Sequence, residues 1–232
     1  RWHSVTGVQT CALPIFDAIL FDCDGVLVDS EPTTCAVLAT MLRELGADIS
    51  ADETMRRFVG KSVREEVQAI EALIGQPIPD GWYQQFMRRR DEALAVSVEA
   101  VAGVAHVLDT AQAHGFSHAV ASGADRGKMR ITLGRTGLLE RLQPHVYGAD
   151  QVERSKPHPD VYLLAARGLG IDPTRCLVIE DTPTGTRAGL AAGATVLGYC
   201  GRTDPRLLLA AGATMVFDDM RRLAELLRQD RK

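Results

Sequence analysis

Three short apolar segments, each followed at once by polar residues, constrain the fold of this chain more than any other feature. They are Ala18–Phe21 before Asp22, Ser117–Ala121 before Ser122 and Gly123, and Cys176–Ile179 before Glu180 and Asp181. Short apolar runs are typical of strands that are buried on both faces of a parallel sheet. In such sheets ligands bind beyond the carboxyl ends of the strands, so the polar residues that follow are candidates for a functional site.

Helical patterns alternate with these segments and with three weaker strand patterns. The weaker strands are predicted at Val146–Tyr147, Thr195–Gly198 and Thr214–Phe217, and the helices at 102–114, 126–137, 159–169, 184–192 and 219–229. Strands that alternate with helices indicate a parallel sheet. We therefore predict an α/β fold, in which a Rossmann-like parallel sheet carries helices on both faces.

Residues 31–100 break this alternation, because four helical patterns follow one another with glycines between them. They lie at Pro32–Leu45, Asp52–Val59, Val63–Ile74 and Trp82–Val96. The pattern predicts a helical domain over 31–100, inserted after the first strand of a core domain that consists of 16–30 and 101–232. Residues 1–15 show neither period and in part resemble translated sequencing-adapter text, so we predict a non-native or disordered leader.

Composition narrows the class of protein. Of the 232 residues, 46% are hydrophobic and 24% are charged, the formal net charge is -4 and the pI is near 5.9, as in ordinary globular proteins. The acidic balance and the scattered basic residues argue against a nucleic-acid partner. No apolar stretch approaches the ~20 residues of a membrane helix, so no membrane partner is expected. The five cysteines form no CxxC pair, which favours a reduced, cytoplasmic protein. We expect either a monomer or a homodimer.

Four acidic residues follow the first and third apolar segments. Asp22 and Asp24 stand two residues apart, and Glu180 and Asp181 are adjacent. If the strand ends converge, like charges ~4 Å apart repel by roughly 4 kcal/mol per pair at an effective dielectric of about 20, so the cluster requires a cation. Oxygen ligands without His or thiolate favour Mg²⁺. Each acid taken alone could instead cap a helix or lie solvated in a loop.

The order of these residues resembles the four motifs of the haloacid-dehalogenase-like hydrolases, especially the phosphatase and β-phosphoglucomutase-type branch with a helical cap. The matching segments are Phe21–Ser30, Ser122, Lys156-Pro157 and Ile179–Gly185. The resemblance covers nearly everything from Phe16 onward. It implies a Mg-dependent phosphatase that hydrolyses a small phosphorylated metabolite, of the sugar phosphate, phosphogluconate or phosphoglycolate type, through an aspartyl-phosphate intermediate.

The resemblance also assigns roles to single residues. The implied catalytic residues are Asp22 as nucleophile, Asp24 as general acid/base, Ser122 as a hydrogen-bond donor to phosphate and Lys156 as its cationic partner. The implied magnesium ligands are the Asp22 carboxylate, the backbone carbonyl of Asp24, and Asp181 together with Glu180. These roles agree with the chemistry, since a cation and a lysine would neutralise the approach of a carboxylate to a phosphate dianion.

Three further residues are candidates for substrate binding. Gly123 follows Ser122 at a position where many relatives have Asn. Arg56 and Lys61 flank Gly60 in the helical insertion, where a capped relative would close over its substrate, and Lys61 is the first candidate because it follows the glycine directly.

Two other classes of protein were compared with this interpretation. A receiver domain of a signalling system also phosphorylates an Asp, but it has about half this length and its acidic pair precedes that Asp. A phosphosugar mutase of the β-phosphoglucomutase type stays the alternative function. Such mutases carry a His shortly after the DxD motif, where this chain has Thr34. A threonine cannot carry the charge of an imidazolium, which favours hydrolysis by water.

Overall fold

The structure is a computed structural model, and it describes residues 3–4, 16–59, 63–64 and 66–229. The chain divides into two compact units, one formed by residues 1–28 and 100–232 and the other by residues 29–99. The second unit covers nearly the same residues as the helical insertion predicted at 31–100, and the assignment of that insertion as a cap domain stays a prediction.

Nine strands occur in the described residues. They are β1 (His3–Ser4), β2 (Ala18–Phe21), β3 (Val28–Asp29), β4 (Glu99–Ala100), β5 (Ser117–Ala121), β6 (Val146–Tyr147), β7 (Cys176–Glu180), β8 (Thr195–Tyr199) and β9 (Met215–Phe217). The chain passes from one unit to the other within β3 and β4. All six predicted strands are present.

Eleven α-helices occur in the same residues. They are α1 (Glu31–Glu44), α2 (Ala51–Phe58), α3 (Val67–Ile74), α4 (Trp82–Ser97), α5 (Val104–Ala113), α6 (Arg126–Arg135), α7 (Leu139–Leu142), α8 (Asp160–Leu169), α9 (Pro183–Ala191), α10 (Pro205–Ala210) and α11 (Met220–Gln229). Two of them, α7 and α10, were not predicted. The Asp204-Pro205 pair signals the start of α10, since Asp204 accepts a hydrogen bond from a first-turn N–H and proline suits the first helical position.

The larger unit is built on a sheet with the strand order β1-β9-β8-β7-β2-β5-β6. The strands from β9 to β6 are parallel, and β1 pairs with β9 in antiparallel direction. The α/β fold with a Rossmann-like parallel sheet is therefore confirmed. Apart from β1, the predicted leader 1–15 lies outside the described residues.

The register of the central strands determines where the site lies. Phe21 at the end of β2 is level with Val120 of β5 on one side and with Ile179 of β7 on the other. Because all three strands run in the same direction, the residues that follow them emerge at one edge of the sheet. The central position of β2 thus brings the motif after Phe21 between the other two.

Alternation of side chains along the strands builds a core on each face of the sheet. On one face, Leu20 and Val178 belong to a buried cluster with Tyr162 and Ala165 of α8. Their strand neighbours point to the opposite face, and Ile19 is fully buried there. Continuous apolar strands are what a sheet covered on both faces requires.

The helical unit has its own core. Helix α1 packs against α2 and α4, and Leu38, Leu42 and Phe86 are buried in one cluster there. Trp82 stacks on Phe86 with ring centroids 6.0 Å apart. In the described residues, no helix has the length and apolar character to cross a bilayer.

Candidate active site

The candidate site lies at the carboxyl ends of β2, β5 and β7. The N–H of Asp22 donates to the carbonyl of Ile179, and the N–H of Ser122 donates to the carbonyl of Tyr147, both at 3.0 Å. These bonds continue the strand ladder by one residue beyond each apolar run. Asp22, Ser122 and Glu180 are all buried, at 7%, 1% and 0% exposure, so the polar residues form an enclosed group and not a solvated rim.

Lys156 bridges two of the acids. Its Nζ donates to Asp22 Oδ1 and to Glu180 Oε1, each at 2.6 Å, and to the hydroxyl of Tyr162 at 3.0 Å. Burial alone would lower the pKa of Lys156, but the two carboxylates raise it well above its usual value. The lysine is therefore a fixed positive charge beside Asp22.

The Asp22 carboxyl is held in an environment that resists its ionisation. Burial raises its pKa to about 7, the neighbouring Glu180 and Asp24 act in the same direction, and Lys156 opposes them. Lys156 thus does not offset the cost of burying this carboxylate beside two other acids. Additional positive charge at this position would favour the ionised carboxylate.

Both oxygens of Glu180 accept hydrogen bonds from the protein. Oε1 accepts from Lys156 at 2.6 Å and from the Tyr162 hydroxyl at 2.8 Å. Oε2 accepts from the N–H of Asp181 and the N–H of Thr182 at 3.1 Å, and from the Thr182 hydroxyl at 3.0 Å. Gly185 is packed so closely on it that a Cβ there would lie 1.6 Å from Oε1. Glu180 therefore links Lys156 to the start of α9, and its role as a metal ligand stays a prediction.

Three carboxylates nevertheless lie close enough to share a cation. Asp22, Glu180 and Asp181 each offer an oxygen, and these oxygens lie within 4.8 Å of one another. Gly25 contributes to this arrangement, since its φ is +78° and a Cβ there would lie 2.0 Å from Asp181 Oδ2. The turn after β2 thus needs glycine both for its backbone angle and for the close approach of Asp181. An all-oxygen, acidic donor set fits a hard divalent ion.

Asp24 points to a different partner. Its Oδ2 lies 2.8 Å from the Nζ of Lys128, and the two side chains are 21% and 12% exposed. Lys128 lies in the first turn of α6. The sequence analysis did not identify this lysine, because a basic residue near a helix start looks like a solvated charge.

The remaining predicted residues differ in how they are placed. The Ser122 hydroxyl accepts the N–H of Ala124 at 3.1 Å, so its own proton can be donated to another oxygen. Gly123 is exposed beside it. Arg56 is exposed on α2 of the helical unit, and Lys61 lies outside the described residues.

Tyr162 is a second residue that the sequence analysis missed. It is fully buried on α8, and its ring also lies below the Lys156 ammonium, with Nζ 4.6 Å from the ring centroid. The only signal in the sequence is its position six residues after Lys156. That position reads as part of the apolar stripe of α8.

Known proteins are similar to this chain over most of its length. The profile of the haloacid dehalogenase-like hydrolases matches residues 19–199. The chain is 26% identical over 185 residues to the 6-phosphogluconate phosphatase of Escherichia coli, with 79% of this chain and 82% of that protein covered. It is 31% identical over 215 residues to the N-acetylmuramic acid 6-phosphate phosphatase of Pseudomonas aeruginosa, with 90% and 94% covered.

A solved structure shares both fold and sequence with this chain. A HAD family hydrolase from Deinococcus radiodurans, crystallised with bound phosphate and sodium, has a TM-score of 0.80 at 36% identity, and 93% of this chain and 96% of that chain are covered. This chain therefore belongs to the haloacid dehalogenase-like hydrolases. It is an enzyme of the phosphatase type.

Proposed function

We propose that this phosphatase hydrolyses phosphomonoesters of small sugars or sugar acids, with Mg²⁺ as cofactor and Asp22 as the nucleophile. The observation that carries the proposal is the buried Asp22 carboxylate at the end of β2, with Lys156 at 2.6 Å and two further acids close by. The names of the relatives support the substrate class, because two of them act on a phosphorylated sugar or sugar acid.

The reaction follows from the roles of the side chains. An Asp22 oxygen attacks phosphorus, the bond from phosphorus to the ester oxygen breaks with its electron pair on that oxygen, and the alcohol leaves with a proton from Asp24. Asp24, now a carboxylate, then takes a proton from the water that attacks phosphorus in the aspartyl-phosphate. The bond from phosphorus to the Asp22 oxygen breaks with its electron pair on the carboxylate, and phosphate is released. Ser122 and Lys156 bind the oxygens of the phosphoryl group during both steps.

Asp22, Asp181 and the backbone carbonyl of Asp24 would hold the cation, with Glu180 beside them. A bound Mg²⁺ would supply the positive charge that the meeting of a carboxylate and a phosphate dianion requires. The fit rests on two observations: the donor set contains only oxygens, and burial, with Glu180 and Asp24 adding to it, raises the pKa of Asp22 despite the opposing Lys156.

Residues of the helical unit choose the substrate in this proposal. Arg56 and Lys61 are the candidates for contacts with an anionic or polyhydroxylated substrate. Thr34 on α1 offers a hydroxyl where mutases carry an imidazole, so the acceptor is water and not a second sugar hydroxyl. A cytoplasmic location is part of this proposal, because the five cysteines form no CxxC pair.

The test is a screen of phosphorylated metabolites for release of inorganic phosphate, with Mg²⁺ and after exhaustive chelation. Activity that needs the metal, that is lost in Asp22→Asn and that persists in Asp48→Asn, an exposed control, supports the proposal. Acid-quenched wild type should carry one phosphoryl group on Asp22 by mass spectrometry. Full activity in the chelated enzyme, or in Asp22→Asn, contradicts it, and rapid isomerisation of β-glucose 1-phosphate with glucose 1,6-bisphosphate as primer would favour the mutase.

A further inference from the structure

Lys128 lies outside the four sequence motifs but forms an ion pair with Asp24 of the first motif. The distance from Nζ to Asp24 Oδ2 is 2.8 Å, and only 12% of the lysine side chain is exposed. Ion pairs on the surface contribute little, but a pair this enclosed is screened less by water. The contact can therefore fix the direction of the Asp24 carboxylate.

The first turn of α6 holds Lys128 in place. Asp125 caps the helix, and its Oδ1 accepts the N–H of Lys128 at 2.9 Å. One turn further on, the buried hydroxyl of Thr132 lies 4.0 Å from the Cys23 sulfur. Residues four apart lie on the same face of a helix. This face of α6 thus contacts two consecutive residues of the motif, Cys23 through Thr132 and Asp24 through Lys128.

The use of lysine in this chain is selective. Only four of the 26 basic residues are lysines, and the other basic residues are arginines. Both lysines that the structure describes bind a carboxylate of the motif, Lys156 that of Asp22 and Lys128 that of Asp24. A compact ammonium binds one carboxylate oxygen as a point charge, whereas the planar guanidinium favours a two-pronged contact. The residue type at 128 therefore fits a contact to one oxygen of Asp24.

We propose that Lys128 is a positioning residue: its Nζ, 2.8 Å from Asp24 Oδ2, holds the Asp24 carboxyl group in the direction from which it gives its proton to the departing ester oxygen. This inference rests on the proposed function, in which Asp24 gives its proton to that oxygen while the bond to phosphorus breaks. Once the proton has left, Asp24 is a carboxylate and pairs with the Lys128 ammonium. Lys128 itself neither gains nor loses a proton and does not touch the substrate.

Two esters that differ in their need for a general acid separate this role from others. Glucose 6-phosphate releases an alkoxide, which needs a proton as it leaves, whereas p-nitrophenyl phosphate releases a stable anion. The value of kcat/KM covers the steps up to the release of the alcohol or phenol, before water attacks. The ratio of the two kcat/KM values does not depend on how much of a preparation is folded, so partial misfolding cannot imitate the effect.

The experiment measures this ratio in wild type, Lys128→Met, Lys128→Gln, Asp24→Asn and Arg130→Met. Arg130 is an exposed basic residue on the same helix and serves as the control. General acids contribute about 10²–10⁴-fold, so we expect Asp24→Asn to lose about that factor on glucose 6-phosphate. For both Lys128 variants we expect kcat/KM to fall roughly 10- to 100-fold with glucose 6-phosphate, and by less than about threefold with p-nitrophenyl phosphate. Arg130→Met should match wild type on both esters.

Other outcomes overturn the proposal in distinguishable ways. Equal losses on both esters in the Lys128 variants would mean that this lysine binds the phosphoryl group or supports the fold. No loss of kcat/KM on either ester would mean that the Lys128–Asp24 ion pair has no role in catalysis. If Asp24→Asn itself shows no difference between the esters, Asp24 is not the general acid, and the proposed function fails before Lys128 is considered.

Discussion

Replacement of Glu180 by Gln tests whether this residue mainly stabilises the site through its hydrogen bonds or mainly binds a cation. The substitution keeps the size of the side chain and removes its charge. It also replaces one acceptor oxygen by an NH₂ group. Glu180 is fully buried, so neither the lost charge nor a misplaced donor can be compensated by water.

The magnitude follows from the contacts of the two oxygens. If the new NH₂ takes the place of Oε2, it faces three donors, the N–H groups of Asp181 and Thr182 and the Thr182 hydroxyl. If it takes the place of Oε1, it faces Lys156 and Tyr162. Each buried donor left without an acceptor costs about 1–3 kcal/mol, and loss of one partner of a buried ion pair costs about 3–5 kcal/mol. We therefore expect the free energy of unfolding to fall by about 3–5 kcal/mol.

The assay is urea unfolding followed by circular dichroism, in chelator, so that no cation contributes to stability. Glu140→Gln is the matched control, because Glu140 is exposed on α7, and it should change stability by less than about 0.5 kcal/mol. A loss below about 1 kcal/mol in Glu180→Gln, together with activity that excess Mg²⁺ restores, would refute the reasoning. Glu180 would then act as a metal ligand.

Three further predictions concern the same site. Because burial raises the pKa of Asp22 from 3.8 to about 7, the folded protein binds this proton more tightly than the unfolded chain, and the stability that Asp22 contributes falls as pH rises from about 4 to 7. Metal-free Asp22→Asn should therefore gain stability relative to wild type between pH ~4.5 and ~8 in urea titrations, and a constant difference would contradict this. Gly25 and Gly81 have similar positive φ angles, +78° and +77°. Gly81→Ala should therefore lose about 1–2 kcal/mol of stability, and Gly25→Ala should lose more, because its Cβ would also lie 2.0 Å from Asp181 Oδ2. Only Gly25→Ala should also weaken Mg²⁺ binding in calorimetric titrations. A Cβ at Gly25 would meet Asp181, whereas nothing lies within 4 Å of a Cβ at Gly81. Equal Mg²⁺ affinities of the two variants would contradict a role of the Gly25–Asp181 contact in metal binding. Tyr162→Phe removes a single hydroxyl from the buried network and should lower stability by about 1–2 kcal/mol and reduce kcat; an unchanged kcat would exclude the tyrosine from positioning the lysine.

The sheet could be predicted from sequence because its strands are short apolar runs with abrupt polar ends. Ala18–Phe21 and Cys176–Ile179 have no amphipathic alternation, which only a strand buried on both faces permits. Helix starts were less well predicted. The pattern from Val63 onward suggested one helix, but α3 begins only at Val67, after Glu66 as its N-terminal flanking residue. Periodicity alone does not locate the first turn of a helix.

Lys128 and Tyr162 could not be found in the same way. Tyr162 lies in the stripe of α8 that includes Val161, Ala165 and Ala166, all buried, and there a tyrosine reads as a core residue. Its hydroxyl nevertheless donates a hydrogen bond to Glu180. That contact depends on the tertiary structure, because Glu180 lies at the end of β7 in the sheet. Lys128 likewise pairs with a residue that is distant in sequence, Asp24 in the turn after β2.

Glu180 and Asp181 illustrate how two adjacent acids of equal appearance come to differ. Both follow the apolar run of β7, and from sequence both are equally good ligands for a cation. In the structure, Glu180 accepts the Lys156 ammonium and the N–H groups at the start of α9, whereas Asp181 lies against Gly25 in the turn after β2. The glycine is thus the feature that admits Asp181 beside Asp22, and the buried lysine is the feature that engages Glu180. Neighbours from distant segments therefore give the two acids different roles: Glu180 orients the lysine, and Asp181 is the residue that binds the cation in the proposed function.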